Sequence, residues 1–299
     1  MKVCVTRDAA EFGRRTEGFL ASRPVEHNVL ATVVAALQPS AERDAPLFAW
    51  LEASGSREVL GAALRTPPRG LLASTMSETV ADALMPKLLE VDPDLPGVNG
   101  PQPAASYLAE AWRRCAGGSV ESAMSQAIYW LADVNEPLRY PSGHSRLAAR
   151  SDYDLMVEWT HAFSRDAGVP ALQVESGIER RLREGRMFVW EDGEVVSMVG
   201  TGPPVAGVVR LGPVYTPPEG RRHGFATALV ADVSQRALAA GAAKCMLYTD
   251  LANHTSNSIY QAVGYRRSND AQEYTFTKHP PAPSAEHHGR RTDPCGRTE

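Results

Sequence analysis

The chain has 299 residues, 43% hydrophobic and 22% charged, with a formal net charge of -4. That length accommodates about two domains with cores of ordinary size, and the composition excludes wholesale disorder. The weak negative charge leaves no electrostatic footprint for a nucleic-acid partner.

In chain order, Phe12 to Leu37 reads as helix, with Val29, Val33 and Leu37 at helical spacing. Leu47 to Leu51 and Glu58 to Leu64 read as strands across a turn at Gly55, and Leu71 to Thr75 as a third. Helices over Glu78 to Glu90 and Ala104 to Cys115 follow, separated by Pro93, Pro96 and Gly97, and Ala127 to Val134 closes this part as a strand. The stretch NEPLRYPSG, Asn135 to Gly143, is dense in turn residues and reads as an interdomain linker. Beyond it the pattern predicts a strand (Arg146 to Ala149), helices over Asp152 to Asp166 and Val174 to Glu184, and strands over Met187 to Trp190, Val195 to Thr201 and Val208 to Tyr215. A long Ala-rich helix, a strand (Cys245 to Thr249), a helix carrying Tyr260 and a strand (Glu273 to Thr277) complete the order. From His279 the chain has almost nothing apolar, so the tail is expected to be disordered and its His287-His288 pair solvated. The two halves share a rough plan, which divides the chain into 1–137, 138–278 and a tail, 279–299.

The longest apolar run, Val29 to Leu37, is too short to cross a bilayer and is broken by Thr32. The opening MKVCVTRDAAEFG has no signal-peptide core. Cys4, Cys115, Cys245 and Cys295 show no CxxC spacing, which suits a reduced compartment better than disulfides or zinc. The expectation is a cytoplasmic protein, monomer or homodimer, with no metal site and no membrane or nucleic-acid partner.

The most informative stretch is Val208 to Tyr265. An apolar strand enters a turn with Pro217, Pro218 and Gly220, then passes through RRHGFA, Arg221 to Ala226, into a helix. A basic, Gly-containing turn at a helix start is an anion-binding device, because unpaired N–H groups and the helix dipole converge there. Its ordinary alternative is a strand-to-helix turn with surface arginines. No Rossmann fingerprint, P-loop, HExxH or Gly-x-Ser-x-Gly elbow competes for the reading: Gly200-Thr-Gly202-Pro-Pro lacks a third glycine opening a helix. His144 and His161 stand alone and read as surface or packing residues.

With these residues the segment from about Arg146 to Thr277 resembles the GCN5-related N-acetyltransferase (GNAT) superfamily. That family's pyrophosphate loop follows Arg/Gln-x-x-Gly-x-Gly/Ala, matched by Arg221-Arg222-His223-Gly224-Phe225-Ala226. Its later Asn, Tyr seven residues on and Gly-Phe/Tyr are matched by Asn253, Tyr260 and Gly264-Tyr265. The first half resembles a degenerate second copy. Its near-misses of the loop, Arg15 to Leu20 and Arg114 to Ser119, end in neither Gly nor Ala.

The resemblance implies an α/β (α+β) fold with a mixed, mostly antiparallel central sheet flanked by helices, twice in tandem. It implies acetyl-CoA as acyl donor and an amine as acceptor, transferred directly in a ternary complex. Arg221, Arg222, His223, Gly224, Phe225, Ala226 and Thr227 would cradle the pyrophosphate. Val214, Tyr215 and Thr216 would offer backbone groups to the pantetheine arm and the thioester carbonyl, with oxyanion stabilisation as the physical gain. Asn253 would touch the cofactor arm, although an Asn there is also a favoured helix cap. Tyr260 would protonate the leaving thiolate as general acid, its alternative being a core aromatic, the role expected of Tyr265. Some relatives place a Glu five residues before the Asn; here Tyr248 stands there, so the base is left open among Asp250, Glu273 and a water relay. The acceptor stays open too: a small amine, an amino acid, an antibiotic or a protein lysine. A non-catalytic acyl-CoA-binding module, or transfer of another acyl group or to oxygen, is the alternative function.

Overall fold

The computed structural model describes residues 1–37, 46–137 and 139–278. The predicted tail with His287-His288, and Cys295, lie outside the described residues. The first half runs through strand β1 (Lys2–Thr6), helices α1 (Ala9–Ser22) and α2 (Asn28–Ala36), strands β2 (Leu47–Glu52), β3 (Val59–Arg65) and β4 (Leu71–Ala73), helix α3 (Glu78–Val91), strand β5 (Gly97–Pro101), helix α4 (Ala104–Ala116) and strand β6 (Ser119–Leu131). The second half repeats that order: β7 (His144–Leu147), α5 (Tyr153–Asp166), α6 (Val174–Arg183), β8 (Met187–Asp192), β9 (Glu194–Thr201), β10 (Val208–Tyr215), α7 (Phe225–Ala239), β11 (Lys244–Asp250), α8 (His254–Val263) and β12 (Arg266–Thr277). The mixed, mostly antiparallel sheet flanked by helices is the one expected; among the described pairings only β4–β5 and β10–β11 are parallel.

Several boundaries differ from the sequence expectation, each for a local reason. The single helix expected over Phe12 to Leu37 is two, because Pro24 disfavours helix in the residue before it and cannot donate the next helical bond. Asp8 starts the first, its carboxylate accepting from Ala10 N at 2.8 Å and Glu11 N at 3.2 Å. Strand β5, GVNGP, has neither alternation nor a β-branched run and escapes pattern reading. The strand expected from Ala127 starts at Ser119, and the one expected from Glu273 starts at Arg266. Their polar ends, SVESAMSQ and RRSND, are held by strand pairing rather than by an apolar face.

All strands form one sheet in the order β1-β2-β3-β4-β5-β12-β6-β11-β10-β9-β8-β7. The two closing strands have changed places. Strand β12 is antiparallel to β5 of the first half, with Ala271 opposite Pro101, and β6 is antiparallel to β11 of the second, with Gln126 opposite Asp250. They also pair with each other at the centre of the sheet.

Packing follows the exchange. Ala127, Tyr129 and Leu131 of β6 sit in the core under α7 and α8, with Leu229, Val233 and Tyr260. Tyr274 and Phe276 of β12 pack on the first-half core under α3 and α4. Trp112 of α4 stacks on Phe276 with ring centroids 4.3 Å apart and 14° between planes. Such a pair contributes about 0.5–1.5 kcal/mol beyond the area it buries. Between the strands, Gln272 accepts from Ser125 Oγ at 2.7 Å and donates to Ser122 Oγ and Met124 O, each at 2.8 Å. Each half therefore owes part of its core to the other.

Cleavage at a protease site introduced at the exposed Arg139–Tyr140 step should leave two fragments that co-elute in native buffer and part only in denaturant. Separation without denaturant would contradict the exchange of β6 and β12.

Candidate active site

Strands β10 and β11 run parallel and pair at Val208–Lys244, Val209–Cys245 and Arg210–Met246. Beyond that rung nothing joins Leu211–Tyr215 to Leu247–Asp250. Each strand follows its other neighbour instead. The register of β10 on β9 shifts across Gly212 and Pro213 and resumes with Val214 opposite Val199 and Tyr215 opposite Met198. Pro213 has no N–H to give a ladder. Strand β11 stays on β6, with Tyr248 opposite Ile128 and Asp250 opposite Gln126. The result is a wedge whose walls are β10 and β11.

The wedge opens toward the start of α7. Gly224 caps that helix in the left-handed region, φ 85°, and no side chain caps the first N–H groups. Arg222 also has positive φ, 68°, an uncommon state for a residue with a Cβ. Such a succession aims backbone N–H groups of Gly224, Phe225, Ala226 and Thr227 at one point, an anion nest at the positive end of a helix dipole. A Cβ built on Gly224 meets nothing within 4 Å, so the concavity is open. Arg221 is partly engaged: its Nε donates to Thr216 O at 3.0 Å and its Nη2 to Asp166 Oδ2 at 2.6 Å. Arg222 has no ion-pair partner among the described residues, and His223 stacks on Phe225. Both are exposed.

On the walls, Tyr215 packs its ring against Trp159 of α5, centroids 5.9 Å apart, and Thr216 Oγ1 lies 2.9 Å from Ser197 Oγ. Val214 packs partly buried against the α7 core. Asn253 caps α8, its Oδ1 accepting from Ser256 N at 3.0 Å. One turn on, Asn257 Nδ2 donates to Asp250 O at 3.0 Å and to Asn253 O at 2.8 Å, yet its Oδ1 is buried without a partner. That orphaned acceptor at the end of β11 went unnoticed in the sequence; an Asn repeated at helical spacing after the first was its only signal.

Tyr260, a further turn along, is 7% exposed and meets Tyr265 edge-on at 6.0 Å. Its hydroxyl has no hydrogen-bond partner among the described residues, whereas that of Tyr265 is 2.8 Å from Ser234 Oγ. Burial pushes the Tyr260 phenol up to about 12, so it is protonated at neutral pH. Both rings are buried in the same core, but only the Tyr265 hydroxyl is tied by a hydrogen bond. The candidate bases differ in position. Asp250 accepts from Ala252 N at 2.8 Å at the mouth of the wedge. Glu273 lies opposite Met124 and Asn99, so β6 stands between it and β11. Tyr248 is itself pushed up to about 12, chiefly by burial, and is a neutral phenol.

The equivalent place in the first half is built differently. A Cβ on Gly100 of β5 would stand 2.9 Å from Ala73 Cβ of β4, so those strands stay together. Helix α3 is capped by Ser77, which accepts from Val80 N, and begins with Glu78, a charge that repels phosphate. The two near-misses of the loop pattern lie in α1 and at the end of α4. A cleft of about 320 Å³ does open beside Thr75, Ser77 and Gln102, next to the start of α4 at Pro103 and Ala104.

Residues 152–265 match the model of the Acetyltransferase (GNAT) family. That segment is a GNAT domain. Acyl transfer is the chemistry such a domain supports. No curated protein matches the chain in sequence. Among solved structures, a GCN5-related N-acetyltransferase from Sphaerobacter thermophilus is similar over 92% of this chain and 95% of its own, with 12% identity and a TM-score of 0.62. A GNAT-family acetyltransferase from Colwellia psychrerythraea covers 93% and 100%, with 11% identity and a TM-score of 0.59. A tandem GNAT protein from the clavulanic acid biosynthesis pathway covers 94% and 100%, with 12% identity and a TM-score of 0.53. At these identities the likeness is one of fold, and it extends through both halves. Among the described residues no helix is long and apolar enough to cross a membrane, and no cluster of metal-binding side chains occurs.

Replacing Gly224 by Ala in the GNAT domain forces a Cβ into the left-handed region, at about 1–3 kcal/mol, and points it into the open nest. Calorimetry with acetyl-CoA should show binding weakened about tenfold or more, with the circular-dichroism spectrum unchanged. Undiminished affinity would contradict the nest.

Proposed function

We propose that the GNAT domain transfers an acetyl group from acetyl-CoA directly to an amine. The observation that carries this reading is the combination of an open β10–β11 wedge, an uncapped basic helix start at one end and an unpartnered phenol on the adjoining helix. The N–H groups from Gly224 to Thr227, with Arg221, Arg222 and His223, hold the pyrophosphate. Backbone groups of Val214, Tyr215 and Thr216 line the pantetheine arm and the thioester oxygen. Asn257 Oδ1 accepts from an amide N–H of that arm, while Asn253 fixes the start of α8.

The neutral amine attacks the thioester carbon; the tetrahedral intermediate collapses with cleavage of the C–S bond, and Tyr260 gives its proton to the departing thiolate. Solvent returns a proton to Tyr260, and the proton lost by the amine leaves through water at the mouth near Asp250. Cys245 supports direct transfer over an acyl-enzyme. It faces the α7 core, and burial pushes its thiol up to about 12, so it is no nucleophile.

Tyr260→Phe should lower kcat by about 10²–10⁴ in an assay of released CoA thiol across an amine panel, with acetyl-CoA affinity unchanged. An unchanged rate would remove Tyr260 from the mechanism, whereas no release of CoA with any amine, even in the parent protein, would favour a binding module. The raised pKa fixes the sign of the pH response. A proton donor near 12 keeps its proton throughout the range in which amines lose theirs. The rate should therefore climb with pH and show no descending limb below roughly pH 10. A fall between roughly pH 8 and 9 in a stopped assay would contradict Tyr260 as donor.

A further inference from the structure

On the side of the wedge away from α7, the GNAT domain carries two arginines without partners. Arg210 on β10 shares its face with Val208, with its rung partner Met246 and with Tyr248 beyond it. Val208 and Met246 pack there with Val25, Ile128 and Ala271. The opposite face of the same strands, with Val209, Leu211, Cys245 and Leu247, is the one that packs under α7. Arg181 reaches this face from α6. A Cβ on Gly200 would stand 3.1 Å from Arg181 Nε and 3.2 Å from Gly212 O. The guanidinium stem therefore crosses β9 where glycine leaves room, beside Gly212 O of β10.

Neither side chain makes a hydrogen bond or an ion pair among the described residues, and Arg181 Nε is buried. Arg146, by contrast, pairs with Asp152 at 2.7 Å and with Glu191, and Arg221 pairs with Asp166. Burial, then Arg210, Arg186 and Arg180, hold Arg181 down to about 10, and burial lowers Arg210. Uncompensated charge on half-buried side chains is costly, so a pair kept this way at the apex of an open wedge calls for an anion that arrives from outside. The phosphate nest, at the far end of β10, has its own donors. Glu26, next to the buried Val25 of this face, accepts from Ser268 Oγ at 2.5 Å. One carboxylate already present opposes a dianion and offers an ammonium a counter-charge.

We propose that this face receives an amine bearing a carboxylate, with Arg210 and Arg181 holding the carboxylate while the amine reaches the thioester. The inference rests on the acetyl-transfer reading and narrows its acceptor to amino carboxylates. Two forked guanidiniums suit the planar anion, which each can grip by paired N–H donors.

The test uses the full chain saturated with CoA and measures binding by calorimetry, separately from turnover. The probes are the common α-amino acids, β-alanine and 4-aminobutyrate, each beside its primary amide, together with O-phosphoethanolamine. The expected result is that at least one amino carboxylate binds about 10- to 100-fold more tightly than its amide. Arg210→Gln and Arg181→Gln should abolish that preference, and Arg210→Lys should restore part of it, while acetyl-CoA affinity and the melting temperature of the Lys variant stay as they were. Amides binding as well as acids, no binding by any amino carboxylate, or tighter binding of O-phosphoethanolamine would each overturn the proposal. Failure of acetyl-transfer shows elsewhere: selective binding of the acid without release of CoA thiol would sink the catalytic reading and leave the carboxylate site standing.

Discussion

The antiparallel ladder between β6 and β12 holds the rest of the molecule in place. Strand β11 can leave β10 only because it has somewhere else to pair, and that place is β6, a strand of the other half. A parallel pair that diverges exposes backbone donors and acceptors on both strands, which must otherwise be satisfied. Here β9 on one side and β6 on the other anchor the diverging strands, so the gap is held open by pairing outside it. A ligand enters a site already formed, and the ordering cost of binding is correspondingly small.

The same arrangement separates the two halves. In the first half β4 and β5 stay in contact beyond their parallel rungs, with Gly100 packed on Ala73. Its helix start is satisfied by its own serine and is negatively charged. The first half contributes instead a strand under α7 and α8, and Val25 and Glu26 beside the arginine face.

Much of this was legible in the sequence, and the failures have physical causes. Arg221 to Ala226 and the Asn253–Tyr260 spacing work as local signals because a helix start and a helical repeat are local objects. The tandem plan shows in the order of apolar runs. The exchange of β6 and β12 does not, since a strand's partners are set by contacts far away in the chain, and SVESAMSQ carries no alternation to mark its faces. Arg210 could have been noticed as a charge within VVRLGPVY, a run otherwise apolar; its lack of a partner becomes visible only when α6 and β11 are placed around it. Asn253 shows the opposite limit. Its capping bond is local and was foreseeable, while the free oxygen belongs to Asn257, whose amide is held by Asp250 and Asn253 through its nitrogen alone.

The swapped strands also bear on descent. Two identical copies of one half, each lending its last strand to the other, would close into a symmetric dimer with two equivalent clefts. Joining the end of β6 to the start of β7 through residues 132–143 turns that dimer into a single chain without breaking a rung of the sheet. Once fused, the copies no longer have to stay alike. One cleft can shut and lose its basic turn at no cost to the other, provided that the lent strand keeps its register. Sequence drift in the first half is then limited along β6, along β5 and at Trp112, which hold β12, and in the loop that carries Val25 and Glu26.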